Sequence, residues 1–590
     1  MNAIPPPTEA ATRELPGHDV FCTPENSEFV SKLPYQSLST TEREIRLLKI
    51  LPDSGSGFVE CELLPSVKLA DIEKQYSALS YCAGSASNTR PIKVNGVRSN
   101  VFANLHHALM EARHYWETHG SQHDFLLWVD QICINQFDLA ERSHQVSLMR
   151  GIYEKAKETL VCLSTPGTRE GGMRRLVNLS HVLKQEGRNN SVDRFNHLSL
   201  YNANTADFAN SWAAYIEVSM SPWWGRAWIF QEFMVSEHTI FLHGRHSLPY
   251  PNFVRLLRSL QRGYTCRDFN PEFFNLSSDL FTDEMKIATS RMWMLLVAKD
   301  HQSSTNDLKT LLMLTKDSQA TDARDKVYSL LGLVDPGYGI VPDYSVSADI
   351  HNLLVETTKR IIVFDDSLEV LCFKSRNTNR NLGELLPSWV LDWTNRTSLG
   401  RTSDLVALYD ARSINSNLAE LLPSWVLERT NGTSLGQMID LGPLDDVSID
   451  LRLYYPYRIM QTSPEALFSQ VTHPQIPEAQ TTVIQVWATL LDKKFHRIHG
   501  IRRRRYCFQG AHRYEIEEKN MMPIQSDYEL WIVRGSRDPL LLSRYSYGYR
   551  LIRPIRCTNL YRIMDSVPGA MNDRGEIDMS KMQETRITIF

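Results

Sequence analysis

The sequence predicts an α/β protein: a parallel sheet flanked by helices, then a helical section and a small β-containing C-terminal subdomain. Three short apolar runs, QYSALSYC (75–82), FLLWVD (125–130) and TLVCLS (159–164), are typical of buried strands. Two stretches between them, at 104–116 and 146–156, carry apolar residues at helical spacing. Strands that alternate with helices indicate a parallel sheet covered on both faces.

Length and composition limit the class of protein. A chain of 590 residues predicts two or three domains, and 42% hydrophobic with 22% charged residues is typical of globular proteins. The net charge of −4 produces no field that would recruit nucleic acid, so we expect no such partner. None of the nine cysteines forms a CxxC pair, which favours a reducing intracellular compartment and no metal site.

The N-terminus and the apolar runs bear on localisation. Residues 1–28 are rich in Pro, Thr and Glu and are predicted to be disordered. They lack the apolar core of a secretory signal, and no run approaches the roughly 20 residues that span a bilayer. We therefore expect a cytoplasmic protein without a membrane span. Nuclear import through the basic run 502–505 is the alternative.

The α/β domain is predicted to cover residues 38–240. Its first part contains two strands joined by DSGSG and an Asn95-Gly96 hairpin turn. Asp138 is expected to cap the second helix at its N-terminus. Residues 221–237 are predicted to form one continuous helix that Ser221 caps.

The rest of the chain divides into three parts. A helical section is expected over 241–375, and a mixed, β-containing subdomain over 446–590. Between them, in 376–445, NLGELLPSWVLDWTNRTSLG at 381–400 recurs 36 residues later with 16 of 20 positions identical. We interpret this as a local duplication in which one copy packs and the other is extruded. Within the last part, one amphipathic helix is predicted from five apolar positions: Val483, Val486, Trp487, Leu490 and Leu491.

A group of polar residues follows the second apolar run. Asp130, Cys133, Asn135 and Gln136 would lie at the carboxyl end of a central strand, where open α/β sheets bind ligands. Each also has a structural interpretation. Asp130 could cap the backbone of the corner, Cys133 could be a small buried hydrophobe, and the two amides could hydrogen-bond loop backbone.

Several blocks taken together resemble the fungal heterokaryon incompatibility (HET) domain family. The most specific are the Cys-Ile-Asn-Gln block within 127–156 and RAWIFQE at 226–232. YSALSYCAG, TDARDKVYSLLGL, VPDYS and PSWVLDW also resemble that family, and SDYELWIVRGSRDPLLL resembles its C-terminal block. The resemblance extends from about Leu38 to about Asp565.

The resemblance implies a function and a chemical hypothesis. HET proteins act in intracellular non-self recognition and signal programmed cell death when incompatible fungal cells fuse. The domain is distantly similar to Toll/interleukin-receptor (TIR) domains, in which a glutamate can cleave nicotinamide from NAD. By that analogy Glu232 is the candidate catalytic residue and NAD the candidate substrate; Tyr81, Arg226 and Trp228 complete a ligand rim with the polar corner. No other cofactor is predicted.

Three interpretations therefore remain open. The first is a signalling module that acts through self-association or a protein partner, and the second is an NAD glycohydrolase that uses Glu232. A structural ion pair between Glu232 and Arg226 is the alternative to catalysis. The third is a degenerate, inactive paralogue, which Ala83 and the internal duplication suggest; Ala83 and Cys162 stand where the family usually has tryptophan.

Overall fold

The computed structural model describes most of the first 373 residues and parts of the remainder. The described residues are 26, 29, 32, 35–120, 123–168, 172–187, 213–265, 283–300, 307–345, 348–373, 386–394, 467–473, 476–492, 495–498, 505–508, 528–534, 536, 539–554 and 584–590. Residues 1–25, the second copy of the duplicated segment and the basic residues 502–504 lie outside them, so the predictions made there are not tested.

Eleven strands occupy the first half of the described chain. They are β1 (Glu44–Ile45), β2 (Leu48–Ile50), β3 (Glu60–Leu63), β4 (Val67–Lys68), β5 (Ser77–Ser80), β6 (Thr89–Val94), β7 (Val97–Phe102), β8 (Phe125–Trp128), β9 (Glu158–Cys162), β10 (Thr239–His243) and β11 (His246–Pro249). Nine of them form one sheet in the order β11-β10-β9-β5-β8-β2-β3-β6-β7, and β1 pairs with β4 separately.

The centre of the large sheet is parallel, as the three apolar runs predicted. β10, β9, β5 and β8 run parallel to one another, so the three predicted strands lie side by side. The neighbouring pairs β8–β2 and β2–β3 are antiparallel, which makes the sheet mixed. Asn95 and Gly96 both have positive φ in the β6–β7 turn, which confirms the predicted hairpin.

Besides a helical segment at 213–219, the structure describes ten helices whose bounds are complete. They are α1 (Ala103–His119), α2 (Asp130–Cys133), α3 (Leu139–Lys155), α4 (Gly172–Gly187), α5 (Ile229–Met234), α6 (Tyr250–Thr265), α7 (Asp283–Asp300), α8 (Leu308–Leu314), α9 (Asp325–Tyr328) and α10 (Ile350–Asp365). Asp138 caps α3 as predicted, because its side chain accepts hydrogen bonds from the backbone of Ala140 and Glu141. No helix among these described residues is long and apolar enough to cross a membrane.

The predicted continuous helix over 221–237 was wrong. A 3₁₀ turn, Pro222–Gly225, comes first, and α5 begins only at Ile229. Between them the backbone pairs with a distant residue: Gln319 donates to the carbonyl of Gly225 over 2.5 Å, and Ala227 donates to the carbonyl of Gln319 over 2.9 Å. These hydrogen bonds replace the helical ones. The Ser221 cap was correct, since its side chain accepts from the backbone of Trp223.

A second sheet is built from the C-terminal part of the chain. The strands described there are β12 (Phe468–His473), β13 (Ile476–Asp492), β14 (Phe495–Ile498), β15 (Arg505–Phe508), β16 (Tyr528–Val533), β17 (Leu540–Tyr545), β18 (Gly548–Pro554) and β19 (Thr585–Ile589). Six of them join in the order β12-β13-β16-β17-β18-β19, and β13 also pairs with β19. The predicted β-containing C-terminal subdomain is therefore present.

The amphipathic helix predicted around Val483 was wrong, because that segment is the long strand β13. Ile484, Val486 and Ala488 are buried at alternate positions, whereas Trp487 between them is 43% exposed. The five apolar residues used for the prediction satisfied a helical spacing, but the β-branched residues of TTVIQV fit a pleated surface better. The proposed domain boundaries stay predictions.

Candidate functional site

The carboxyl ends of β5 and β9 form the topological switch point of the large sheet. The chain continues from β5 towards β8 on one side, whereas it continues from β9 towards β10 on the other. Open α/β sheets bind ligands in the crevice that such a divergence creates. The residues at these two strand ends therefore decide which chemistry the crevice supports.

A turn of the protein itself, Pro222–Gly225, bridges the two strand ends. Ser221 precedes the turn and donates a hydrogen bond to the carbonyl oxygen of Leu163, one residue beyond β9, over 2.6 Å. Trp223 donates from its indole Nε1 to the hydroxyl oxygen of Ser80, the last residue of β5, over 2.7 Å. Trp223 is fully buried. The indole therefore lies where a ligand would enter an open crevice.

Glu232, the candidate catalytic residue, is buried against this turn. Its carboxylate accepts a hydrogen bond from the hydroxyl of Ser80 and another from Nη1 of Arg226, the latter over 3.1 Å. The Glu232 side chain is 2% exposed and that of Arg226 is 16% exposed. Glu232 is thus half of a buried ion pair, and in this conformation its carboxylate does not face solvent.

The surroundings of this ion pair perturb both ionisable groups. Burial raises the pKa of the Glu232 carboxyl above its usual value, and the Arg226 guanidinium and the Ser80 hydroxyl oppose that rise. Burial acts to lower the pKa of Arg226, but the carboxylates of Glu232 and Asp130 outweigh it and raise that pKa. Each charge therefore depends on the other to remain inside the protein.

Asp130 and Tyr81 lie next to the ion pair. The Tyr81 hydroxyl donates to a carboxylate oxygen of Asp130 over 3.1 Å, and the backbone N–H of Gln131 donates to the same oxygen over 2.7 Å. The Gln136 amide donates to the carbonyl oxygen of Asp130 over 2.9 Å. Burial, followed by the Asp130 carboxylate, raises the pKa of Tyr81 well above its usual value. These contacts hold the corner after β8 in one conformation.

Cys133 is completely buried beneath the same corner. Its Sγ lies 3.4 Å from the backbone nitrogen of Val129, which donates to it. Burial raises the pKa of the thiol to about 12. A thiol with that pKa carries almost no thiolate at neutral pH, and the thiolate is the nucleophilic form. The environment of Cys133 therefore matches a small core residue.

We expect Cys133 to resist alkylation in the folded protein. Under native conditions, iodoacetamide should modify Cys133 at least about tenfold more slowly than the partly exposed Cys82, because only an exposed thiolate reacts readily. Peptide mass spectrometry at timed intervals measures both rates. Unfolding in urea should make the two rates similar, and equal rates in the folded protein would contradict the buried environment.

Asn135 contacts a second buried ion pair, which Arg46 and Glu141 form. Its backbone N–H donates to Oε1 of Glu141 over 2.7 Å, and its side-chain oxygen accepts from the backbone of Phe137. Glu141 pairs with Arg46 over 2.6 Å, with both side chains almost completely buried. None of the described hydrogen bonds of Asn135 reaches Glu232. The polar corner is therefore divided between two clusters, and only its Asp130 end adjoins Glu232.

Trp228 faces a third group of residues. Its side chain hydrogen-bonds to Asp325, which also accepts from the Tyr344 hydroxyl over 2.5 Å. The guanidinium of Arg142, on α3, lies 4.4 Å from the centroid of the Tyr344 ring. Trp228 and Glu232 stand four residues apart but contact different parts of the protein. Trp228 connects the start of α5 to the segment around α9.

Sequence reasoning missed three residues that organise these clusters: Ser80, Arg46 and Asp325. Ser80 is the last residue of a buried strand, and that position alone could have identified it as a rim residue. Asp325 lies inside the TDARDKVYSLLGL block. Its neighbour Arg324 pairs with Asp322 over 2.8 Å. Among the described residues, no group of three His, Cys, Asp or Glu side chains could hold a metal ion.

Comparison with protein families identifies the central region. The family model described as Heterokaryon incompatibility protein (HET) matches residues 76–232. Residues 76–232 of the chain are therefore similar to a HET domain. The matched region contains the Glu232 cluster, which comprises Ser80, Tyr81, Asp130, Trp223, Arg226 and Glu232. The buried ion pair and the turn Pro222–Gly225 thus both lie within the residues that match the family.

One named relative and the solved structures complete the comparison. The chain is similar to Heterokaryon incompatibility protein 6, OR allele, of Neurospora crassa, with 27% identity over 414 residues. The aligned part covers 61% of this chain and 59% of the relative, so the chain spans less than two thirds of the length of the relative. No solved structure matches the chain.

Proposed function

We propose that this chain is a fungal incompatibility effector that acts inside the cell, in the cytoplasm, and signals programmed cell death after non-self recognition. The observation that carries this proposal is the HET match over 76–232, which contains every residue of the Glu232 cluster. The name of the Neurospora relative supports the same role. The chain spans only part of that relative, so the role of the whole protein rests on the HET domain.

The HET domain is proposed to act by binding a protein, either a partner or a second copy of itself. Two observations favour binding over catalysis at the switch point. The indole of Trp223 bridges the ends of β5 and β9, and Glu232 is 2% exposed with both a hydroxyl and a guanidinium bound to it. A general acid or nucleophile must reach its substrate, and this carboxylate is already engaged within the protein.

A distant relationship to TIR domains is also proposed. It is supported by the four parallel strands β10, β9, β5 and β8 and by the position of Glu232 beside their carboxyl ends. Under the proposed binding role, the family glutamate serves the fold of the domain instead of NAD cleavage. A shared fold does not require a shared reaction, so the domain can be related to TIR domains without cleaving NAD.

Glu232→Gln distinguishes binding from catalysis because it keeps the side-chain shape and an oxygen that accepts hydrogen bonds. We expect the purified wild-type protein to release no nicotinamide from NAD above the buffer blank, as measured by chromatography. We also expect growth arrest, when the protein is expressed in a fungal host, to persist in a folded Glu232→Gln variant. Glu154→Gln changes an exposed glutamate and is the matched control.

Each contrary result has a defined meaning. Nicotinamide release that disappears in Glu232→Gln but not in Glu154→Gln would replace the binding role with NAD hydrolysis. Growth that continues unchanged in compatible and incompatible hosts, with folded protein present, would instead indicate the inactive paralogue. Circular dichroism of the purified variants establishes that each one is folded.

A further inference from the structure

A cavity of about 410 Å³ lies between α1, α4 and the β10–β11 hairpin. Its lining residues do not include any member of the Glu232 cluster. The volume is within the range of roughly 300–1,000 Å³ that is typical of small-molecule sites. The cavity is therefore large enough for an organic ligand, and its lining indicates the class of ligand.

The floor of the cavity is apolar. Ile240 and Leu242 lie two residues apart on β10, so their side chains are on the same face of the sheet. Leu248 on β11 and Val177 on α4 extend this surface. Removing such an apolar surface from water is favourable, so the floor favours binding of the apolar body of a ligand.

The rim of the cavity is rich in hydrogen-bond donors. Arg245 contributes a permanently charged guanidinium, and four histidines line the same cavity: His114, His119, His181 and His246. His119 uses its Nδ1–H to donate to the carbonyl oxygen of Tyr115 over 3.0 Å, whereas an imidazole in general can donate from a ring N–H in either of its protonation states. Arginine binds carboxylate and phosphate groups through two parallel hydrogen bonds. The rim therefore favours a negatively charged group.

The acidic residue of the lining, Glu111, is engaged in holding the hairpin. It is 7% exposed, and its carboxylate accepts a hydrogen bond from the backbone N–H of Arg245 over 2.8 Å. Arg245 has φ of +60° next to Gly244 at +58°, a left-handed conformation that non-glycine residues rarely adopt. Glu111 thus helps to fix a costly turn that places Arg245 at the cavity.

We propose that this cavity binds a small organic anion. The apolar or aromatic body of the ligand would lie on Ile240, Leu242 and Leu248, and its phosphate or carboxylate would bind Arg245 and the neighbouring imidazoles. This site is separate from the switch point, so it does not depend on the proposed role in incompatibility. It assigns a ligand-binding role to the edge of the sheet formed by β10 and β11.

Isothermal titration calorimetry with matched probes tests the proposal. 1-Naphthyl phosphate and 1-naphthoate carry the two candidate anionic groups, 1-naphthol lacks the charge, and inorganic phosphate lacks the apolar body. We expect at least one naphthyl anion to bind at least about tenfold more tightly than either partial probe, because it alone uses both floor and rim. Whichever anion binds more tightly identifies the preferred group.

Two variants locate the binding. Arg245→Asn removes the guanidinium but tolerates the left-handed backbone, and should weaken binding about tenfold or more. Val177→Phe narrows the cavity without changing charge and should also weaken binding. Arg98→Asn, at an exposed arginine beside the β6–β7 turn, is the matched control and should leave affinity unchanged. Equal affinity in wild type and Arg245→Asn, or no binding of either naphthyl anion at millimolar concentration, would overturn the proposal.

Discussion

Arg226→Met is expected to lower the free energy of unfolding by about 3–5 kcal/mol, because it leaves the Glu232 carboxylate buried without its cation. The Ser80 hydroxyl would remain as a hydrogen-bond donor to that carboxylate, but a neutral hydroxyl cannot balance a buried charge. Methionine has a similar length and an apolar side chain, so the packing around the position changes less than with alanine. The loss in free energy of unfolding should therefore come mainly from the unpaired charge of the Glu232 carboxylate.

Urea unfolding followed by circular dichroism measures this loss. The double variant Arg226→Met with Glu232→Leu should recover most of it, since replacing both members of a buried ion pair with apolar residues is often nearly neutral. Arg360→Met is the control, because Arg360 and Glu356 form an exposed pair 3.9 Å apart that should contribute at most about 1 kcal/mol. A similar small loss for Arg226→Met would show that the buried pair does not stabilise the fold.

The parts of the fold that were predicted correctly depend on local sequence. The runs around Ser77–Ser80, Phe125–Trp128 and Glu158–Cys162 are short, apolar and separated by helical patterns, and a parallel arrangement is the common way to bury such strands on both faces. The Asn95-Gly96 turn was equally local, since those residue types favour positive φ.

The parts that were missed depend on residues far apart in the sequence. The break before α5 exists because Gln319 supplies backbone hydrogen bonds to Gly225 and Ala227, and no pattern near residue 225 reveals that partner. The same holds for β13, whose neighbours β16 and β19 decide that it is a strand. Local periodicity cannot separate these outcomes when a segment fits both templates.

The candidate site, like the fold, could be predicted where local sequence decides and was missed where distant residues meet. The carboxyl-end position of Asp130 and the pairing of Arg226 with Glu232 were both considered from the sequence alone. That Ser80 and Trp223 would join them required knowledge of which strand ends meet. Asn135 was expected to share their crevice, but its backbone is bound to Glu141 instead. A residue one turn beyond a strand end can thus belong to a different cluster.

The region that matches the HET family does not stand alone in this chain. Beyond the matched region, Gln319 pairs with the backbone on both sides of Arg226, and Asp325 binds Trp228. Arg150 on α3 also donates to the carbonyl of Gly332 over 2.9 Å. The contacts of Gln319 and Asp325 fix the backbone at the end of the turn Pro222–Gly225 and directly after it. The segment from 319 to 345 therefore packs against the matched region, although the family match ends before it.

Trp223→Ala is expected to lower the free energy of unfolding by about 3–5 kcal/mol, because it leaves a cavity at the switch point. Trp223 is fully buried and packs edge-on against Trp224 and Phe233, with ring centroids 4.8 and 5.9 Å away. The change also removes the donor to Ser80, whose own hydroxyl binds Glu232. The loss of stability should therefore come both from the lost packing and from weaker hydrogen bonding to the Glu232–Arg226 ion pair.

Trp223→Phe separates these two contributions, since it keeps most of the ring packing and removes only the indole donor. We expect it to cost about 1–2 kcal/mol, less than the alanine variant. Trp487→Ala is the control, because that tryptophan is 43% exposed and should change stability by no more than about 0.5 kcal/mol. If Trp223→Ala cost as little as Trp487→Ala, the turn Pro222–Gly225 would not fill the crevice, and the switch point would be open to a ligand.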